Sequence, residues 1–272
     1  MGILNVTPDS FSGDGLLAPG ARSPVERARA FIEAGADILD VGGESTRPGA
    51  EPISAEEELR RVIPVIQAIR AALPDARISI DTYRAAVAAA ALDAGAGMVN
   101  DVWALRADPE MAGLVAERGV PIVLMHNRLT PSNAEVRERL GGRYVGVPYE
   151  NLLEDVRAEL LESVAAARAA GVAEERIILD PGLGFGKTTA QSLELLNRLD
   201  ELAGLGYPLL IGPSRKSFIG YTLDLPPDQS VEGSLAAAVM GVVRGANIVR
   251  GHDVPEIVRA VRMADAILRT GA

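Results

Sequence analysis

The sequence predicts an α/β fold, namely a single (β/α)8 TIM barrel formed by residues 1–272. First, eight short apolar runs alternate with longer stretches of helical pattern. Second, these runs are apolar on both faces, as in buried parallel strands joined by crossover helices. Third, the chain length suits one closed barrel, although an open doubly wound sheet is an alternative. The predicted strands are residues 3–5, 38–41, 78–81, 98–101, 122–126, 177–180, 209–212 and 248–250.

Capping signals mark the helix boundaries. Segments 23–26 and 54–57 both match the capping box, in which a serine accepts from an early backbone N–H and a glutamate reaches back. Residues 151–170 form the clearest amphipathic pattern, and we assign its apolar stripe to the core. Glycine is expected where a helix ends in a left-handed turn before the next strand. The glycines in such positions are Gly35, Gly95 and Gly245.

Three segments rich in glycine, proline and polar residues interrupt this alternation. They are residues 7–23, 43–54 and 127–149, and each follows a predicted strand. In a barrel, the connections after strands lie at the catalytic mouth. We therefore interpret the three segments as substrate loops rather than linkers, and we see no domain boundary.

Composition excludes several classes of protein. A formal net charge of −10 argues against a broad nucleic-acid or anionic-membrane surface, because both require basic patches. The chain has no cysteine, which excludes disulfides, thiolate nucleophiles and zinc–cysteine sites. No signal peptide is evident, and no window approaches the apolar length of a membrane-spanning helix. The sequence therefore predicts a soluble cytoplasmic protein with no nucleic-acid or membrane partner.

Residues 180–187, with the sequence DPGLGFGK, stand where a strand passes into a helix. Such junctions are where α/β proteins place their sites. The stretch differs from the phosphate loop G-x-x-x-x-G-K-[ST] only in having Pro181 at the first glycine position. Taken alone, it leaves two readings open: a nucleotide-phosphate loop, or a helix-initiating turn whose glycines only allow tight geometry.

Polar side chains collect at the carboxyl ends of the predicted strands. Burying such groups is costly, so a set of them on one barrel rim usually meets a ligand. Individually each has a structural explanation, since Asp81 could cap the next helix and Asn100 or Asp101 could satisfy loop backbone. The set comprises Asn5, Asp81, Asn100, Asp101, His126, Asp180, Ser214, Arg215, Lys216, Arg250 and His252.

These side chains are of two chemical kinds. Asp81, Asn100 and Asp180 suit a flat heterocycle with a donor-rich edge, because a carboxylate accepts two parallel N–H bonds. The cations suit an anionic group, although the loop cations could also be solvated surface charge. Neither histidine has a second histidine at i+4, so only a hard cation held by oxygen ligands and a substrate diphosphate remains open. The candidate cations are Arg47, Lys216, Arg250 and His252.

Seven motifs run along the chain: residues 3–12 (ILNVTPDSFS), 40–50 (DVGGESTRPGA), 80–82 (IDT), 100–102 (NDV), 180–187 (DPGLGFGK), 214–217 (SRKS) and 250–254 (RGHDV). The set strongly resembles the dihydropteroate synthase family. The match spans nearly the full length in the family's order, and the first two motifs are long enough to make it specific.

This resemblance implies a transferase of folate biosynthesis that joins p-aminobenzoate to 6-hydroxymethyl-7,8-dihydropterin diphosphate, giving 7,8-dihydropteroate and diphosphate. It also implies Mg2+ as the cofactor, with Asn5 as a ligand, and a homodimer. The implied pterin-binding residues are Asp81, Asn100, Met125, Asp180, Gly212, Lys216 and Arg250. The implied diphosphate-binding residues are Asn5, Arg47, Arg250 and His252, and those for p-aminobenzoate are Thr46, Pro48, Phe185 and Ser217. The implied catalytic residues are Arg47, Lys216, Arg250 and His252.

The chain departs from the usual family pattern mainly in its loops. Almost nothing precedes the first strand, residues 12–15 read SGDG, residues 126–128 read HNR, and 127–149 is longer than expected. Two alternatives remain. A pterin-binding methyltransferase domain would share the barrel and the acidic residues but has no use for a diphosphate-binding cluster. A catalytically silent pterin-binding relative should lose Asn5, Arg47 or His252, all of which are present.

Overall fold

The structure is a computed structural model that describes residues 1–7, 23–45, 51–129, 134–137, 140–144 and 146–270. The described residues form two compact units. The first takes its residues from within 1–46, 50–124 and 162–178, and the second from within 125–161 and 179–272. We describe each unit by itself, and the single domain predicted for residues 1–272 stays a prediction.

The first unit is organised around parallel strands that follow one another in chain order. They are β1 Gly2–Asn5, β2 Ile38–Gly42, β3 Arg77–Asp81, β4 Met98–Asp101 and β5 Ile122–Met125. Their aliphatic side chains are almost fully buried, as the apolar runs predicted. All five strands predicted in this part of the sequence are therefore confirmed.

The register of these strands aligns their carboxyl ends. Asn5 of β1 pairs with Gly42 of β2, and Gly42 pairs with Asp81 of β3. Asp81 in turn pairs with Asn100 of β4. Neighbouring strands lie about 4.8 Å apart, so the four residues form one lateral row across the sheet.

The helices of the first unit are α1 Pro24–Glu33, α2 Ala55–Ala72, α3 Ala85–Asp93 and α4 Met111–Arg118. The capping box predicted at Ser23 is complete, with both reciprocal bonds present. The one predicted at Ser54 is wrong in its second half, because Glu57 binds Arg60 and Arg61 instead of reaching back. The left-handed glycines predicted at helix ends are found at Gly35 and Gly95.

An ion-pair cluster joins the segment after β2 to two helices of the first unit. The Arg84 guanidinium, just before α3, lies 2.7 Å from Glu44 and also pairs with Glu58 of α2. Its Nη2 donates to the Ile53 carbonyl at 2.7 Å. Glu58 is fully buried and Arg84 mostly so, which makes the charges dependent on one another. Arg84 therefore holds residues on both sides of segment 46–50.

The second unit contains an element that the sequence did not predict. Strands β6 Ala134–Arg137 and β7 Gly141–Tyr144 form an antiparallel pair within segment 127–149, which we predicted as a loop. Their short, polar and glycine-containing sequences lack the apolar alternation that identifies a strand. Helix α5, Leu152–Ala169, follows within one residue of its predicted bounds at each end.

Three further parallel strands follow: β8 Ile177–Asp180, β9 Leu210–Ile211 and β10 Ile248–Val249. Ile177 and Ile178, the first half of β8, belong to the first unit, where β8 is the last strand of the six-stranded sheet. A parallel bridge joins Leu179 to Leu209, and β9 pairs with β10. The three predicted strands are confirmed, although β9 and β10 are shorter than their apolar runs.

The remaining helices are α6 Thr189–Asn197, α7 Leu199–Ala203, α8 Ser217–Leu223, α9 Val231–Val243 and α10 Val254–Arg269. Single 3-10 turns occur at Glu174–Arg176 and Pro227–Gln229. Gly245, after α9, is left-handed as predicted. Among the helices that the structure describes, none combines the length and apolarity needed to cross a membrane.

Candidate active site

In the first unit, the row of strand ends brings together three predicted site residues: Asn5, Asp81 and Asn100. Gly42 stands between Asn5 and Asp81 in this row. A Cβ at Gly42 would lie 3.4 Å from the Asp81 Cβ and 3.6 Å from its Oδ2. The missing side chain therefore leaves free space directly beside the Asp81 carboxylate.

The orientation of Asn100 is fixed by a buried partner. Its Nδ2 donates to Oδ2 of Asp40 at 3.1 Å, and both side chains are buried. A carboxylate can only accept, so the amide nitrogen must face Asp40 and the amide oxygen must face away. The sequence did not single out Asp40 as a supporting residue, although a carboxylate inside an apolar strand is a signal of a buried partner.

Asp101 has a structural role in the turn after β4. Its two carboxylate oxygens accept from the backbone N–H groups of Trp103 at 2.8 Å and Leu105 at 2.7 Å. Burial raises the pKa of Asp101 to about 6, against the lowering effect of those N–H groups. The structure therefore favours the backbone-satisfying alternative for this member of the predicted strand-end set.

In the second unit, Asp180 is the central buried acid. It is 5% exposed, and its Oδ1 accepts from the Gly182 N–H at 2.7 Å. Burial raises the pKa of Asp180, while the Gly182 N–H and the cations Lys216, Lys187 and Arg250 act in the opposite direction. Three cations thus supply positive potential at one buried carboxylate.

The three glycines of segment 180–187 have left-handed backbones, and at Gly182 and Gly186 an added side chain would also collide with neighbouring backbone. Gly182 has a φ of 68°, and a Cβ there would lie 1.9 Å from the His126 carbonyl oxygen. Gly186 has a φ of 67°, and a Cβ there would lie 2.9 Å from the Arg128 carbonyl carbon. Glycine alone allows this path without strain.

Lys187 closes the segment with an inward-pointing side chain. Its Nζ donates to the carbonyls of Gly182 at 2.9 Å and Phe185 at 3.0 Å, and lies 2.9 Å from His126 Nδ1. Burial lowers the pKa of Lys187 to about 7. A buried amine with three protein partners is not placed to bind a phosphate, so the nucleotide-phosphate reading of this stretch is wrong.

His126, Glu159 and Arg128 continue from buried Lys187 toward the surface, since the Glu159 and Arg128 side chains are each 25% exposed. Nε2 of His126 lies 3.1 Å from Glu159 Oε2, and Arg128 Nε donates to Glu159 Oε1 at 2.7 Å. Contact with the His126 ring lowers the pKa of Glu159 to about 2, while burial lowers the pKa of His126 to about 4. The sequence placed His126 at a strand end but did not find its partners, which lie far along the chain.

Two predicted ligand residues contact each other in this unit. Nζ of Lys216 lies 3.7 Å from the ring centroid of Phe185, a cation–π contact. Arg250 follows β10 next to Gly212, where its N–H donates to the Ile211 carbonyl at 2.9 Å. A Cβ at Gly212 would lie 3.9 Å from the Arg250 Cβ, so the glycine gives the arginine stem room.

Ser214 contacts His252, and Arg215, the chain neighbour of Lys216, is held by Asp253. Ser214 Oγ lies 3.1 Å from His252 Nδ1 and accepts the His252 backbone N–H at 3.1 Å. When Oγ donates to Nδ1, the ring carries its proton on Nε2 and can donate to an anion. Arg215, beside Lys216, has a left-handed φ of 56° and forms a two-point ion pair with Asp253, with its Nη2 2.5 Å from Oδ1.

The other predicted site residues are placed as follows. Met125 ends β5 and is buried, and Ser217 is the first residue of α8. Thr46, Arg47 and Pro48 lie outside the described residues. The described residues contain no group of three or more histidine, aspartate or glutamate side chains that could hold a metal ion by themselves. The assigned ligand roles stay predictions.

Comparison with known proteins shows which family the chain belongs to. Residues 1–252 match the family described as pterin binding enzyme. A dihydropteroate synthase of Bacillus subtilis is 49% identical over 271 residues, covering 100% of this chain and 89% of the relative. A Clostridium difficile dihydropteroate synthase structure, determined in the presence of pteroic acid, is 46% identical. It has a TM-score of 0.86 and covers 99% of this chain and 96% of that one.

A third relative is the structure of Xanthomonas albilineans dihydropteroate synthase with 4-aminobenzoic acid. It is 42% identical, with a TM-score of 0.87, and covers 99% of this chain and 93% of that chain. Fold, buried acid and sequence match thus define a pterin-binding enzyme. At this identity over the whole chain, the protein belongs to the dihydropteroate synthase family. The predicted family, its function, the (β/α)8 fold class and the transferase class are confirmed.

Proposed function

We propose that the protein condenses p-aminobenzoate with 6-hydroxymethyl-7,8-dihydropterin diphosphate, and that its residues divide the work as the sequence predicts. The observation that carries the proposal is the buried Asp180 carboxylate, which stands among cations and shares a short loop with Phe185. A buried acid with such neighbours is typical of a ligand site rather than of a packing position.

Asp180 suits the donor-rich edge of a pterin. A carboxylate accepts several hydrogen bonds, and Gly182 donates only one of them. Lys216 and Arg250 are the predicted partners for the rest of the pterin, and both act on the charge of Asp180. In the first unit, Asp81 and the oriented amide of Asn100 are the predicted pterin residues, and they stand side by side in the register.

The leaving diphosphate requires positive potential where its charge develops. Stabilisation of this kind is usually the largest catalytic contribution. Arg250 and His252 are proposed to supply it, together with Arg47, and when Ser214 Oγ donates to His252 Nδ1 the ring can donate from Nε2. The amine of p-aminobenzoate is a weak nucleophile, so facilitating C–O cleavage lowers the barrier without any nucleophilic side chain.

A magnesium ion is the proposed cofactor. Mg2+ usually binds one or two protein oxygens together with substrate phosphates and waters, so it does not require an acid cluster, and none exists among the described residues. Asn5 is the proposed ligand through its amide oxygen. When bound, the ion would neutralise charge on the diphosphate.

Phe185 and Ser217 are the proposed p-aminobenzoate residues of the second unit. The relative from Xanthomonas albilineans was solved with 4-aminobenzoic acid, and the Clostridium difficile relative in the presence of pteroic acid. The Phe185 ring is mostly buried and lies beneath Lys216, so it offers an apolar face next to a pterin residue. Thr46 and Pro48 complete the proposed set.

A pterin-binding methyltransferase domain is the alternative. The cations Arg47, Lys216, Arg250 and His252 speak against it, because such a domain has no use for a diphosphate-binding cluster. The test is diphosphate release with both substrates and Mg2+, omitting each component in turn. We expect release only when p-aminobenzoate and the pterin diphosphate are both present, and loss of release on chelation that Mg2+ restores. Diphosphate release that ignores p-aminobenzoate would overturn the proposal.

We also propose that the protein is a homodimer. Helices α9 and α10 pack on each other, and together they leave large apolar side chains exposed. Met263 and Ile267 are each 61% exposed and lie one turn apart on α10, next to Leu268. Exposed apolar patches of this kind mark interaction surfaces. Sedimentation should give a dimer mass that falls to a monomer in Met263→Glu/Ile267→Glu. The cytoplasmic location stays a prediction.

A further inference from the structure

We infer that Lys187 is a positioning residue for both substrates: its ammonium holds the loop that presents Asp180 and Phe185. The inference rests on the proposed function, because it concerns the residues assigned there to the pterin and to p-aminobenzoate. The Nζ of Lys187 is directed at three protein groups, so we assign it no contact with either substrate. It acts on the backbone of the loop that carries Asp180 and Phe185.

The buried amine of Lys187 has three polar partners. Lys187 is 2% exposed, and its Nζ has three partners: the Gly182 carbonyl, the Phe185 carbonyl and His126 Nδ1. An ammonium has three N–H donors, so these partners account for all of them. Burying a long charged side chain is costly, and three directed bonds offset that cost only in one geometry of the loop.

The two carbonyls that Lys187 binds are those of Gly182, which also contacts Asp180, and of Phe185 itself. The Gly182 peptide unit donates its N–H to Asp180 Oδ1 at 2.7 Å and accepts Lys187 Nζ at its carbonyl. The Phe185 carbonyl accepts the same Nζ, and the ring of Phe185 lies under Lys216. One side chain therefore fixes the orientation of the Asp180 carboxylate and the position of the Phe185 ring.

Lys187 is also held by His126, whose Nδ1 lies 2.9 Å from its Nζ. When His126 Nδ1 accepts from Lys187, the ring carries its proton on Nε2, which lies 3.1 Å from Glu159 Oε2. Arg128 binds Glu159 on its other oxygen and contacts the Tyr149 ring at 4.2 Å. These contacts favour the one position of Lys187 in which its Nζ meets all three partners.

The test compares variants that remove or restore the donors of Lys187. Lys187→Met keeps the length and apolar volume of the side chain but has no donor. We expect Kd for a pterin and KM for p-aminobenzoate each to rise about 10-fold or more, because charged hydrogen bonds position both residues. Ser230→Ala is the matched control. It removes another buried hydrogen bond, from Ser230 Oγ to the Pro227 carbonyl at 2.9 Å, without touching the loop, so both constants should stay within about twofold.

Restoration of the amine gives the sharper readout. The chain contains no cysteine, so Lys187→Cys introduces a single thiol that aminoethylation in denaturant converts to a lysine analogue. After refolding, we expect the alkylated protein to regain most of the pterin affinity, while the unalkylated protein does not. The parent protein taken through the same treatment controls for refolding, because it has no thiol to modify.

Three outcomes decide the inference. Pterin affinity and p-aminobenzoate KM within twofold of the parent in Lys187→Met would overturn it. So would a folded, aminoethylated protein that remains as weak as the Cys form. If Lys187→Met does not fold, Lys187→Gln, which keeps two donors on a shorter stem, should fold and show an intermediate loss of pterin affinity. Parental affinity in that variant would also count against the inference.

A parent protein that binds pterin but shows no p-aminobenzoate-dependent diphosphate release would refute the proposed function instead.

Discussion

Asp180→Asn should separate ligand binding from folding. Asn keeps Oδ1 for the Gly182 N–H, which now donates at 2.7 Å, so the turn is preserved. It loses the charge, and a hydrogen bond to a charged group contributes about 1.5–3 kcal/mol. We therefore predict that pterin binding weakens about 10- to 100-fold. Stability should change little, because burial raises the pKa of Asp180 and the variant no longer buries a charge.

Asp101→Asn is the matched control, since it alters a second buried aspartate at a strand end. Both Asp101 oxygens accept backbone N–H groups, from Trp103 and Leu105. An asparagine offers one acceptor and one donor there, so a buried N–H is left without a partner at a cost of about 1–3 kcal/mol. This variant should lower the free energy of unfolding and leave pterin affinity unchanged.

Isothermal titration with a pterin and urea denaturation of the same samples measure the two quantities. The two variants should behave in opposite ways. Asp180→Asn should lose pterin affinity and keep its stability, whereas Asp101→Asn should lose stability and keep its pterin affinity. Equal losses of affinity in both variants, or parental affinity in Asp180→Asn, would refute the distinction between the two buried acids.

Three further predictions concern the framework. Gly182→Ala should lower the free energy of unfolding by more than about 2 kcal/mol and abolish pterin binding, since its Cβ would meet the His126 carbonyl at 1.9 Å; an unchanged urea midpoint would contradict this. Arg84→Met should cost about 3–5 kcal/mol by leaving buried Glu58 without its cation, and adding Glu58→Gln should recover part of it; no recovery in the double variant would count against the pairing. For Lys187, whose pKa is lowered from 10.5 to about 7, the unfolded chain binds the proton more tightly between those values. The free energy of unfolding should therefore rise with pH across that window, by up to about 1.4 kcal/mol per unit, and this rise should be absent in Lys187→Met.

Local patterns predicted the fold well because parallel strands are written in short apolar runs. All eight predicted strands are present in the structure, and the helix-ending glycines lie where the backbone turns left-handed. The pair β6–β7 was missed since its polar residues carry no alternation. The second capping box failed because Glu57 had two nearby arginines as alternative partners, which a motif does not reveal.

The sequence proposes ligand-binding residues, whose roles stay predictions, but it does not reveal the residues that orient them. Asp180 and Lys216 belong to recognisable motifs, whereas Asp40 and Glu159 act through contacts with residues about 30 to 60 positions away along the chain. Lys187 was visible in the sequence, but its role depends on whether the side chain turns outward to a phosphate or inward to carbonyls. Only the three-dimensional path of the glycine-rich loop decides that.

The contact between Lys216 and Phe185 has a consequence for how this protein can change. The ammonium lies 3.7 Å from the ring centroid, and the two residues are assigned to different substrates. A substitution at Phe185 that discriminates against a competitor of p-aminobenzoate would also remove the surface on which Lys216 rests. Under the proposed assignments, a change at Phe185 that alters p-aminobenzoate binding also alters pterin affinity, and the replacements that avoid this are side chains that keep an electron-rich face.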